Sequence, residues 1–247
     1  MQMDKVTVVF DGDDTLWLVE HLYDDARVDA AKVVASDGVD PARWEALERE
    51  IDVRNVGTMG VSAQRFPTSC VEAYIAAAAE MGRSPSPSVE KLVQLAAEQV
   101  FERRAPVVVG AHAVVEKVRT FCPVVLLTKG EPWVQERRIE EAGFASSFDE
   151  ILIVPSKSEA EFEAALRYFD AAAAGSWSVG NSLASDVNPA LNIGMSAVWI
   201  DAHVWEHERR ANQPVGGNLV IVPALADVPD LIAPKFGAKR HGAVKAH

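Results

Sequence analysis

The chain has 247 residues, of which 49% are hydrophobic and 24% charged, with 15 Gly and 13 Pro. That composition excludes collagen-like, coiled-coil and wholly disordered classes and leaves room for one large domain or one domain with a big insertion. Its 36 acidic against 24 basic residues give a formal charge of −12, the wrong sign for a partner that is a nucleic-acid backbone or an anionic membrane surface. Cys70 and Cys122 make neither a disulfide framework nor a metal set, Asp4 and Asp11 follow Met1 with no apolar leader, and no apolar run nears the roughly 20 residues that span a bilayer. A cytoplasmic protein is expected.

In chain order, Val6 to Phe10 is an apolar run of strand type. Helices follow. Trp17 to Ser36 is amphipathic and stops at Asp37-Gly38. Pro41 to Arg54 starts at the N-cap Asp40 and carries Trp44, Leu47 and Ile51 on one face. Ser62 to Met81 ends at Gly82, and Ser86-Pro87 opens a helix expected to turn Leu92, Val93, Ala96 and Val100 inward. Strand-type runs then recur at Val124 to Leu127, Ile151 to Val154, Ser176 to Val179 and Ala197 to Ile200. They alternate with helical segments at Pro132 to Ala142, Ser158 to Asp170 and Pro189 to Ile193, the last with Asn188 as N-cap.

Short apolar strands separated by helices predict an α/β fold, a doubly wound, Rossmann-like parallel sheet buried on both faces. More than 100 residues without a strand separate the first two strands, and they read as an inserted, all-helical cap at the strand end where such sheets bind ligands. The expected division is a core of residues 1–16 and 106–234, a cap of 17–105 and a flexible basic tail of 235–247.

Chemistry-bearing residues gather at the carboxyl ends of these strands. Strand one runs into Asp11-Gly12-Asp13-Asp14-Thr15, and clustered carboxylates are costly without a cation; alone, the run also reads as an acidic turn or an Asp N-cap. Strand two ends in Thr128-Lys129-Gly130, a hydroxyl and a glycine turn before a helix opened by Pro132, suited to holding an anion. Lys157 follows strand three. Strand four ends in Gly180-Asn181-Ser182, with Asp186 shortly after.

With these four segments the sequence resembles the haloacid dehalogenase-like superfamily, from Val6 to about Ile232 and cap included. Its phosphatase branch has a helical cap between the first two motifs, and its motifs are a strand-end D-x-D-x-[TV], a Thr or Ser, a Lys and an acidic segment. The stretch from Gly180 to Leu191, with Trp17 and Trp205 to Glu208, is similar to bacterial capped phosphatases, the nearest assigned activities being nucleotidase-type and phosphoglycolate-type.

The resemblance implies Asp11 as nucleophile, Asp13 as general acid/base, Thr15 as loop support, and Thr128 and Lys157 as further catalytic residues. Gly12, Lys129 and Gly130 would hold the phosphoryl group. Mg2+ is the implied cofactor, with Asp11, Asp186 and Asp13 through its main-chain carbonyl as its ligands, and Asn181 holding it through a water or from just behind those ligands. Asn181 stands where an Asp is usual. Such a metal offsets the charge of a phosphate monoester, which otherwise repels the nucleophile.

Specificity is expected from the cap, where Arg54, Asn55, Gly57, Gly60, Arg65 and Phe66 form a glycine- and donor-rich segment between two helices; an ordinary interhelical loop is the other reading. Arg54, Asn55 and Arg65 are the candidate substrate ligands, with His21 and Tyr23 near the cleft.

The expected function is Mg2+-dependent hydrolysis of a small phosphorylated metabolite by a monomer or small homo-oligomer, through an aspartyl-phosphate. A phosphate ester needs the acid Asp13, whereas expulsion of halide needs none. A dehalogenase or phosphomutase of the same fold, a receiver-like phospho-acceptor and a catalytically silent binding protein are the alternatives.

Overall fold

The computed structural model describes residues 5–201, 214 and 218–233. Within them six strands form one parallel sheet in the order β3-β2-β1-β4-β5-β6: β1 (Val8–Phe10), β2 (Val124–Lys129), β3 (Glu150–Val154), β4 (Trp177–Gly180), β5 (Ser196–Ile200) and β6 (Asn218–Val222). The expected doubly wound sheet is therefore present. β6, in a segment where no strand is expected from the sequence, is an edge strand whose Ile221 is exposed. Central β1 is short and wholly buried, and its alternating residues feed opposite faces. Val8 and Phe10 join one apolar cluster, with Phe144 and Val198, while Val9 joins Val125, Leu127 and Phe162 in another.

Four helices lie between β1 and the helix that leads into β2: α1 (Glu20–Ser36), α2 (Pro41–Met59), α3 (Arg65–Glu80) and α4 (Pro87–Glu102). Small side chains on the facing stripes, Ala26 and Ala30 of α1 against Val93, Ala97 and Val100 of α4, let the helices pack closely. The inward stripe of α4 differs from expectation at Leu92, which is 52% exposed. Positions 93, 97 and 100 define the buried face at helical spacing, and Leu92 falls just outside it. α5 (Ala111–Arg119), in a segment where no helix is expected from the sequence, packs against β2 and belongs to the sheet layer. The remaining helices are α6 (Pro132–Glu141), α7 (Glu159–Tyr168), α8 (Asn188–Asn192) and α9 (Val228–Ile232). Among the described residues no helix is long and apolar enough to cross a membrane. Trp205 to Glu208 and residues 235–247 lie outside the described residues.

α2 continues through Arg54, Asn55 and Gly57 to Met59, so the expected glycine-rich interhelical loop shrinks to residues 60–64. Gly57 is tolerated mid-helix at a cost of about 1 kcal/mol relative to Ala, and Gly60, at φ +60, ends the helix.

The helical layer also buries charge. Arg27 Nε donates to Glu48 Oε2 at 2.9 Å, Arg65 pairs with Asp52, and the Arg27 guanidinium lies 5.2 Å from the Phe66 ring centroid. Glu48 is fully buried with Oε1 unpartnered. Burial pushes its carboxyl up to about 7, against the lowering pull of Arg27. Its folded value lies above the unfolded one, so its ionisation costs stability as pH rises from about 4.5 to about 7. Glu48→Gln should therefore gain stability relative to the parent across that window and hold the gain above it, in thermal melts at stepped pH. A difference that does not vary with pH would show that folding does not raise the Glu48 carboxyl.

Candidate active site

Parallel strands present all their carboxyl ends to one rim, and β1 lies between β2 and β4 at its centre. Asp11 follows β1 directly, its N–H donating to Val179 O of β4 at 2.9 Å. Lys157 comes after β3 and just before the Ser158–Glu161 capping box that starts α7, which fixes where its side chain emerges. Its ammonium bridges the acids, donating to Asp186 Oδ1 at 2.7 Å and, in a short contact, to Asp11 Oδ1.

A π-turn at Leu183–Val187 carries Asp186 back over the end of β4, where Ser182 N–H donates to Asp186 Oδ2 at 2.9 Å. The fit requires Gly180, since a Cβ there would lie 2.3 Å from Asp186 Oδ2. The π-turn runs straight into α8, so Val187 rather than Asn188 stands at that helix's N-cap.

The electrostatics follow from burial. Asp11 is pushed up to about 7 by desolvation and by Asp186, with Lys157 opposing. Burial alone would lower Lys157, but Asp11 and Asp186 hold it above its ordinary value. Lys129 is brought down to about 8 by burial and by Lys157, and it donates to Ser185 Oγ at 2.9 Å. Thr128 Oγ1 is buried with no hydrogen-bond partner among the described residues.

The acidic run divides by role. Asp14, at φ +60, accepts from the N–H groups of Val19 and Glu20 at 2.8 and 3.1 Å and secures the entry to α1. Thr15 Oγ1 donates to Asn181 Oδ1 at 3.3 Å, tying the first loop to the end of β4. Asp13 faces the cleft and accepts from three side chains: Trp17 Nε1 at 2.6 Å, Gln135 Nε2 at 3.0 Å and Arg138 Nη1 at 2.9 Å.

Gly12 does not line the cleft. Its carbonyl accepts the N–H groups of Thr15, Leu16 and Trp17, and a Cβ on it would lie 2.5 Å from the Trp17 ring. Its carbonyl and its lack of a side chain thus serve the packing of the first loop. Gly12→Ala should destabilise the fold by roughly 1–3 kcal/mol, the usual cost of overpacking, and weaken the Trp17–Asp13 bond. Chemical denaturation with indole fluorescence checks both; an unchanged midpoint would mean that the ring has room to retreat.

The cleft measures about 970 Å³, its open mouth included, and the strand-end residues Asp11, Asp13, Thr128, Lys129, Gly130, Lys157, Asn181 and Asp186 all line it. Helical-layer residues close its far side, among them Tyr23, Arg27, Asp52, Ala63 and Arg65. Of the expected cap ligands only Arg65 reaches it. Arg54 is instead exposed and paired with Glu72 at 3.2 Å, and Asn55 is buried, donating to Ser69 and Glu72 at 3.1 Å each. Both sit on helical turns of α2 that face α3. His21 is exposed, and Phe66 packs on Tyr23 with centroids 4.9 Å apart.

Sequence reasoning missed Glu131, Gln135 and Arg138. In the sequence they show only as polar residues set beside Val134 and Ile139 at helical spacing; the structure buries Gln135 and Arg138 with them on the inner face of α6. Glu131 joins the two layers, since its Oε1 accepts the Ala63 N–H at 3.0 Å and its Oε2 the Trp133 indole at 2.9 Å. Binding of vanadate should tighten this junction, so hydrogen exchange of the amides of residues 61–65 should slow on adding vanadate, and less so in Glu131→Ala. Equal slowing in both proteins would remove Glu131 from the closure.

An Mg2+ ion fits these donors. The rim offers two carboxylates, Asp11 and Asp186, beside the Asn181 amide, an oxygen set of the kind Mg2+ combines with water and phosphate. No group of three His, Cys, Asp or Glu side chains placed to hold a metal occurs among the described residues. Cys70 and Cys122 are buried, and burial raises both thiols, Cys122 to about 12.

No sequence-family model matches the chain, and no curated protein does. Solved structures match along nearly its whole length. A haloacid dehalogenase-like family hydrolase from Xanthomonas campestris is 24% identical, with a TM-score of 0.76 over 94% of this chain and 96% of its own. A HAD-hydrolase from Bacillus subtilis, YfnB, bound to magnesium, is 15% identical with a TM-score of 0.64 over 93% and 99%. The L-2-haloacid dehalogenase from Xanthobacter autotrophicus, with chloropropionic acid covalently bound, is 17% identical with a TM-score of 0.59 over 93% and 98%. These likenesses establish the fold.

Proposed function

We propose that this chain, which has the fold of the haloacid dehalogenase-like hydrolases, hydrolyses small phosphate monoesters with Mg2+ through an aspartyl-phosphate on Asp11. The observation that carries the reading is Asp13, a carboxylate two residues beyond Asp11 that lines the same cleft. An alkoxide leaving group needs a proton, and a halide does not. Asp11 is the nucleophile, with Lys157 holding its carboxylate and offsetting the charge of Asp186. The Thr128 hydroxyl, the Lys129 ammonium and the Gly130 turn receive the phosphoryl oxygens. Asp11 and Asp186, with Asn181 and the Asp13 main-chain carbonyl, would hold Mg2+. When bound, it neutralises charge on the phosphoryl group.

Attack by Asp11 on phosphorus releases the alcohol, which takes a proton from Asp13. Asp13 then accepts a proton from the water that hydrolyses the aspartyl-phosphate and regenerates Asp11. The far wall of Tyr23, Arg27, Asp52 and Arg65 meets the alcohol portion of a small phosphorylated metabolite. We place the protein in the cytoplasm as a monomer or small homo-oligomer.

The test is hydrolysis of p-nitrophenyl phosphate with Mg2+, without it, and with EDTA, followed by a panel of phosphorylated metabolites. Mg2+-dependent phosphate release is expected. Halide release from 2-chloropropionate without phosphatase activity would replace this reading by the dehalogenase one.

A further inference from the structure

We propose that Trp17, Gln135 and Arg138 are positioning residues that reserve one oxygen of Asp13, Oδ1, for proton transfer and anchor the other, Oδ2, to the core. The inference rests on the phosphomonoesterase reading and deepens it. A carboxylate has about four acceptor positions, two on each oxygen. Oδ2 receives both Gln135 Nε2 at 3.0 Å and Arg138 Nη1 at 2.9 Å, so its positions are filled. Among the described residues Oδ1 receives only Trp17 Nε1, at 2.6 Å. One acceptor position is left on the carboxylate, it is on Oδ1, and the acid's proton has to sit there.

The three donors are themselves immobile. Trp17 is fully buried, Gln135 is 2% exposed and Arg138 8% exposed. Gln135 Nε2 also donates to the Lys129 carbonyl at 2.8 Å, which ties the orientation of the acid to the loop expected to hold the phosphoryl group. All three stand on the sheet layer or its first loop rather than on helices α1 to α4, so the direction of the proton is set whether or not those helices close on a ligand. Such pre-organisation takes orientation out of the reaction barrier.

The Asp11 oxygen forms a bond to phosphorus, the ester P–O bond breaks with its electron pair going to the leaving oxygen, and that oxygen takes the proton from Oδ1. In the second half water loses a proton to Oδ1, its oxygen bonds to phosphorus, and the bond from phosphorus to Asp11 breaks.

The consequence is a dependence on the leaving group. p-Nitrophenolate departs as a stable anion without a proton, whereas the ethoxide of ethyl phosphate does not. In Trp17→Phe, Gln135→Met and Arg138→Met, kcat/KM for ethyl phosphate should fall on the order of 10²-fold or more, within the range general acid catalysis supplies. The value for p-nitrophenyl phosphate should fall only a few-fold, and vanadate inhibition should shift little. Arg138→Lys, which keeps a donor for Oδ2, should recover part of the ethyl phosphate rate.

Equal losses on the two esters, or a loss of vanadate binding that parallels the loss of rate, would overturn the assignment. If Arg138→Met fails to fold, the other two variants decide. A parent protein that hydrolyses neither ester removes the phosphomonoesterase reading itself and this inference with it.

Discussion

Asp11→Asn should abolish turnover, by at least about 10⁴-fold, because removal of a covalent nucleophile leaves only the binding and electrostatic parts of catalysis. The fold should survive. The change takes one negative charge out of a buried cluster in which Asp11 and Asp186 share a single ammonium, and an amide of the same shape keeps an oxygen for Lys157. An unfolding midpoint equal to or above the parent's is therefore expected. Acid-quenched enzyme, digested and weighed, should show a phosphoryl adduct on the peptide that contains Asp11 in the parent and none in the variant. An adduct that persists in Asp11→Asn would assign the nucleophile elsewhere.

Lys157→Met should be the most destabilising single change at this rim. Lys157, Asp11 and Asp186 are all buried, with the ammonium 2.7 Å from Asp186. Breaking a buried ion pair by removing one partner costs about 3–5 kcal/mol, chiefly because the remaining charge is left uncompensated. Here two like charges remain.

The pH signature follows from the sign of the shift. Asp11 already lies near 7 with Lys157 present, and without that cation, which opposes the rise, its carboxyl holds its proton still more tightly when folded than when unfolded. The variant should therefore lose stability as pH rises from the ordinary carboxylate range through neutrality, and recover it at acidic pH. Mg2+ should restore part of the loss at pH 8, because a divalent cation can replace the ammonium between the two acids. Thermal melts at pH 5 and 8, with and without Mg2+, read both effects. A loss that neither pH nor Mg2+ alters would mean that the deficit is one of packing.

Much of this was legible from the chain alone, for reasons that are local. The parallel sheet follows from short, continuously apolar segments such as Val124 to Leu127, which only a strand buried on both faces accommodates. The helical layer follows from a strand-free stretch punctuated by Gly38, Gly82 and Pro87. That Asp11, Asp13, Thr128, Lys157, Asn181 and Asp186 line one cleft follows as well, since each lies at or just past the carboxyl end of a strand and parallel strands share that rim.

What only the tertiary structure decided depends on contacts between residues far apart in the chain. Whether Arg54 and Asn55 face a ligand or a neighbouring helix turned on how far α2 continues: weak helix propensity at Gly57 pointed the wrong way, since α2 packs against α3 and runs on through it to Met59, where Gly60 does end it. The donors on Asp13 come from positions 4, 122 and 125 residues along the chain, and no local pattern marks Gln135 or Arg138 as partners of a strand-one carboxylate. Propensity and periodicity act over one or two helical turns, whereas the direction in which a catalytic side chain points is set by whichever buried donors the fold brings to it.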